Sequence, residues 1–101
     1  MIRDPELDFG VTLHTVVIHL VKNAHTIPEP VVKAAQGFED ASWAKQDPAT
    51  KRTRLLEVAK HTEEPSPIHR HFESYPHAFS KEQYAAYLGA LKRYKDSLGI
   101  P

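Results

Sequence analysis

Residues 80–99 read SKEQYAAYLGALKRYKDSLG, and this stretch decides the fold class. Tyr84, Tyr87, Leu88, Leu91, Tyr94 and Leu98 recur at steps of three and four, the spacing that gathers side chains on one face of an α-helix. Ser80 followed by Gln83 has the form of a capping box at the start. Lys92, Arg93 and Lys95 put positive charge near the end, where the helix dipole favours it, and Gly99 suits the stop.

Moving toward the N-terminus, Asp47-Pro48 is a helix start, a capping residue followed by a proline at the first helical position. It predicts a helix from Pro48 to Thr62 with Leu55, Leu56, Val58 and Ala59 as its apolar set. A helix over Pro30–Ala44 carries the stripe Val31, Ala34, Ala35, Phe38, Ala41 and Ser42, with Gly37 inside it. From Val11, the stripe Leu13, Val16, Val17, Leu20, Val21 and Ala24 has a helical period. Its valines and Ile18 would also suit a strand, and the period decides for helix. Residues 1–10, polar with Pro5, read as an arm ahead of a single helical domain over 11–99. Glu63-Glu64-Pro65-Ser66-Pro67 stops the third helix, because proline cannot continue one. Residues 63–79 then show no helical period and read as a long irregular loop, with a short strand over Ile68–Phe72 compatible with the pattern. Long connections in compact domains are often functional. The expectation is an all-α fold: a small bundle of about four helices with a long loop before the last.

The chain has 101 residues, 13 Lys plus Arg against 13 Asp plus Glu, and no cysteine. That length fits one domain. The charge balance argues against a dedicated nucleic-acid binder, and the missing thiols exclude disulfides, cysteine zinc sites and thiol catalysis. No run approaches the ~20 apolar residues of a membrane span. Met1–Gly10 lacks the basic start and apolar centre of a signal peptide. A cytoplasmic location without membrane contact is the expectation.

Four groups of residues invite functional readings. His69, His71 and Glu73 would share one face of a strand, where two imidazoles and a carboxylate can hold zinc or iron. The plainer reading is a surface loop with solvated histidines. His19 and Lys22 lie on the polar side of the first helix, and this His-x-x-Lys pair resembles the phospho-accepting segment of histidine phosphotransfer domains. The resemblance covers those two residues, with Asn23 where that family has glycine, and would imply a phosphoryl-accepting His19. The bland reading is a solvated histidine. Lys45, Lys51, Arg52, Arg54, Lys60 and His61 form a basic cluster able to track phosphates, although 100° per residue scatters them around their helix. Trp43 and Tyr75 fall off the apolar stripes, and aromatics with one wet end are enriched at interfaces. For Trp43 the alternative is a core position covered by the long loop.

No phosphate loop, nucleophile elbow or His-Glu-x-x-His motif is present. The sequence therefore points to a small non-enzymatic binding or regulatory protein acting by protein–protein contact, without a cofactor. Trp43, His69, His71, Phe72 and Tyr75 are the expected contact residues, with Arg52 and Arg54 at the rim. A second copy of the chain, paired through the tyrosine stripe, is a further candidate partner. A nucleic-acid module using the third-helix basic residues ranks second, and a metal site at His69, His71 and Glu73 third.

Overall fold

The computed structural model describes residues 4–101. Among them are five α-helices and one 3-10 turn: α1 (Pro5–Lys22), α2 (Glu29–Glu39), the turn Trp43–Lys45, α3 (Pro48–Thr62), α4 (Pro67–Ser74) and α5 (Ala78–Ser97). The fold is all-α as expected, with one helix more than the sequence pattern shows.

Proline sets three of the starts. Pro5, Pro48 and Pro67 each occupy a first helical position, where a missing N–H costs nothing. Asp4 Oδ1 accepts from the Glu6 N–H at 2.8 Å and Ser66 Oγ from the His69 N–H at 3.1 Å, satisfying donors the helix leaves open. Asp47 instead binds the Thr50 hydroxyl at 2.5 Å.

These starts correct two expectations. Residues 5–10 belong to α1 rather than to an arm, because Asp4-Pro5 is the same signal as Asp47-Pro48; residues 1–3 of that arm lie outside the described residues. The long loop contains α4, and Ile68–Phe72 is helical, because Ser66-Pro67 opens a helix where the paired prolines suggested only a break. The second helix also ends early, at Glu39. Ala41 adopts a positive φ of 65° and the Asp40 carboxylate accepts from the Ser42 N–H at 2.9 Å. The chain turns there before Trp43. The last helix begins at Ala78, so Ser80 lies within its first turn rather than at the cap.

One buried cluster joins all five helices. Phe9, Leu13, Val16 and Leu20 of α1 meet Val31 and Ala34 of α2, Leu55, Val58 and Ala59 of α3, Ile68 and Phe72 of α4, and Tyr84, Tyr87, Leu91 and Tyr94 of α5. α1 lies chiefly along α5. Gly10 lets α2 approach α1 closely, since a β-carbon there would stand 2.5 Å from Phe38 Cδ1. Phe38 in turn stacks on Trp43, with centroids 4.8 Å apart.

The tyrosine stripe of α5 is core, with its hydroxyls satisfied inside. Tyr87 donates to Thr62 Oγ1 at 2.9 Å, Tyr84 donates to the Thr62 carbonyl, and Tyr94 donates to Glu6 Oε1 at 2.6 Å. Burial pushes all three hydroxyl pKa values up, so they remain protonated donors. Trp43 Nε1 donates to Tyr94 Oη at 2.9 Å, and Lys51 Nζ donates to the same Glu6 oxygen at 2.7 Å. This chain of bonds ties the 3-10 turn, α5, α1 and α3 together around one partly buried carboxylate. No helix is long and apolar enough to cross a membrane among the described residues.

Candidate functional site

α4 is helical, so its residues do not alternate between two faces. His69 and Glu73 fall one turn apart and approach to 3.5 Å, while His71 turns toward α1. The expected trio of His69, His71 and Glu73 therefore does not converge. Among the described residues, no group of three His, Asp or Glu side chains is placed to hold a metal ion.

His71 instead meets His19, with the two Nε2 atoms 3.0 Å apart. The His25 ring stands 4.8 Å from His71, and the rings of Phe72 and Tyr75 lie 4.4 and 4.7 Å from His19. Asn23 braces the group: its amide donates to the His19 carbonyl at 2.8 Å, and its Oδ1 accepts from the Tyr75 hydroxyl at 3.3 Å. Burial lowers the pKa of His19, and the neighbouring imidazoles of His71 and His25 lower it further. Burial and His25 do the same to His71. An Nε2–Nε2 hydrogen bond needs one protonated and one bare nitrogen, so two neutral rings satisfy it and two imidazolium ions cannot. The cluster is thus a latch between α1 and α4. His19 is engaged in that latch rather than presented to solvent beside Lys22, as a phospho-accepting histidine would be.

The other expected contact residues separate into buried and exposed. Trp43 and Phe72 are buried. Trp43 packs against Phe38 and donates to Tyr94. Both supply core packing, and their side chains are removed from the contact surface. Tyr75, His69 and His71 are half-buried, and Arg52 and Arg54 are exposed on α3. Arg54 borders an open groove of about 640 Å³ between α2 and α3. The groove also carries Glu29 and Glu57 beside Lys33, a mixed lining rather than the single-sign track that phosphates favour.

The largest departure from a solvated surface lies on α1. Its buried face holds Phe9, Leu13, Val16 and Leu20. The opposite face holds Leu7, Val11, Ile18 and Val21, which are 60%, 50%, 40% and 64% exposed. At 100° per residue these four and His14 fall within a stripe about 80° wide. Val21 belongs to this outer stripe and not to the inner one expected for it. Phe79, 65% exposed at the start of α5, borders the same face. A shallow depression of about 250 Å³ runs from Ile18 and Thr15 past His19 and Lys22 to Phe79 and Gln83.

None of these outer residues stands among the contacts expected from sequence. The signal for them is there: the apolar residues of α1 form two sets of the same period, and one core needs only one. Comparison with protein-family models, curated proteins and solved structures finds no match for this chain.

Proposed function

We propose that this chain is a non-enzymatic binding protein that works by protein–protein contact through the outer face of α1. The observation that carries the reading is the outer stripe of Leu7, Val11, Ile18 and Val21, continued by Phe79, all left in water. Scattered exposed apolar side chains are ordinary, and Leu56 on α3 is one. Four on one helix face, with a fifth from α5 at its border, are different, because grouped apolar side chains left exposed mark contact sites. The half-buried His71 and Tyr75 belong to the neighbouring latch and give the face a polar border. A cytoplasmic setting stays with this reading as an expectation from the sequence alone.

The test is the size of the untagged protein in extracts of cells that make it. The chain is expected to run well above its 11.4 kDa. Val11→Glu plus Ile18→Glu is expected to return it to monomer size, while Arg52→Glu plus Arg54→Glu leaves the assembly intact. A wild-type protein at monomer size, or an assembly lost only with the arginines, contradicts the reading.

A further inference from the structure

The outer stripe of α1 runs Leu7, Val11, His14, Ile18, Val21, with spacings of four, three, four and three. That is the spacing of a helix-pair seam, four apolar positions with a histidine in the middle: side chains alternating by three and four keep facing a partner helix along their length. The stripe is also close to symmetric about its middle. Reversed end for end about His14, Leu7 falls on Val21, and Val11 falls one position from Ile18. A patch that matches its own reversal is what a two-fold contact between identical subunits requires, since both partners present the same surface.

Charge sets the direction. Asp4 is exposed just ahead of α1 and Lys22 is exposed at its end, both on the same side of the stripe by helical geometry. Asp4 caps its own helix through one carboxylate oxygen, Oδ1, while Glu6 is engaged by Lys51 and Tyr94 and Asp8 by Arg93. Two α1 helices packed antiparallel bring Asp4 of each copy toward Lys22 of the other. Their dipoles then oppose, which is also favourable. A parallel pair would set like ends together.

Size is adequate. The four aliphatic side chains and Phe79 leave on the order of 500 Å² of apolar surface open on each copy. Covering it with its polar border gives an interface of roughly 1,000–1,200 Å² in total, at the small end of specific association. We propose that the outer face of α1 is the interface of a homodimer in which two α1 helices pack antiparallel about a two-fold axis near His14. This rests on the reading of that face as a protein-contact surface, and names the partner as a second copy of the chain.

Two measurements on the purified full chain test it. Sedimentation equilibrium over a concentration series is expected to show a monomer–dimer equilibrium. Ile18→Glu is expected to weaken it about a hundredfold, since it buries a carboxylate in the seam. Leu56→Glu, on α3, is expected to leave it unchanged, and thermal unfolding checks that both variants stay folded. The chain has no cysteine, so introduced ones report cleanly. His14→Cys is expected to form a disulfide with its own copy, and an equal mixture of Leu7→Cys and Val21→Cys to form the mixed disulfide in preference to either self-pair. Self-pairs at positions 7 and 21 would mean a parallel contact and overturn the arrangement. A protein monomeric at every concentration overturns the dimer altogether. If that pure protein still runs large in extract, the contact surface stands and only the identity of its occupant falls.

Discussion

Replacing Gly10 with alanine sets two effects of known size against each other. In an unstrained helix interior, alanine is favoured over glycine by up to about 1 kcal/mol. At Gly10 the new β-carbon would stand 2.5 Å from Phe38 Cδ1 and 3.0 Å from both Cε1 and Cγ. The ring cannot simply swing aside, because it stacks on Trp43 and meets Phe9 edge-on with centroids 5.6 Å apart. Overpacking of this kind typically costs ~1–3 kcal/mol. The collision wins, and the expected net loss is about 1 kcal/mol, a fall of roughly 4–8 °C in Tm for a domain of this length. Gly89, inside α5, is the control: its β-carbon would meet only the flexible end of Arg93, Nη1 at 3.4 Å. Gly89→Ala is therefore expected to stabilise by up to about 1 kcal/mol. Thermal unfolding followed by circular dichroism at low concentration reads both. In a Phe38→Ala background the sign at Gly10 should reverse, because the obstacle is gone. If Gly10→Ala raises Tm as Gly89→Ala does, the close approach of α2 to α1 is not as described.

Acid should loosen the latch. His19 and His71 have folded pKa values below the ordinary 6.5, so the unfolded chain takes up protons first as pH falls. Their contribution is whole above 6.5 and declines below it, down to their folded values. Urea midpoints from pH 8 to 5 should fall in that window, and His71→Gln should flatten the fall; an unchanged slope refutes the assignment. Tyr87→Phe leaves Thr62 Oγ1 without its donor and is expected to cost about 1 kcal/mol in a urea titration. Lys51→Met strands the Glu6 carboxylate against Tyr94, and because the pair is only partly buried the expected loss is about 1–2 kcal/mol. Adding Glu6→Gln should recover part of that loss, whereas additive losses would show that the two side chains do not interact.

The strongest parts of the fold were readable because they are local. The α5 stripe names its own buried residues, and Asp47-Pro48 marks the start of α3. The same punctuation at Asp4-Pro5 and Ser66-Pro67 was equally present, and was hidden by context. The first sits among Asp4, Glu6 and Asp8 in a stretch that reads as a polar arm, and the second follows Pro65, so that two prolines read as an interruption. Trp43 misled for a different reason. Extending the α2 periodicity to Ala44 assumes a continuous helix, and the positive φ at Ala41 rotates everything after it. What closes the site was not local at all. His19 and His71 lie 52 positions apart, and so do Asn23 and Tyr75. Their pairing depends on how α4 docks against α1, which no spacing records. On α1, valine and isoleucine occur on both sides of the helix, so the pattern alone could not say which stripe faces inward. Phe9 decides it by packing against Phe38, Tyr87 and Tyr94.

The most direct test of α1 as a contact surface is photo-crosslinking from single positions in living cells. A photoreactive phenylalanine analogue placed at position 18, and separately at 11 and 21, should give discrete adducts with protein when illuminated. The same residue at position 56, comparably exposed on α3, should give none. Adducts from the α1 positions alone are the result expected here. Adducts from position 56 alone, or none from any position on α1, would contradict the claim that this face is where the protein does its work.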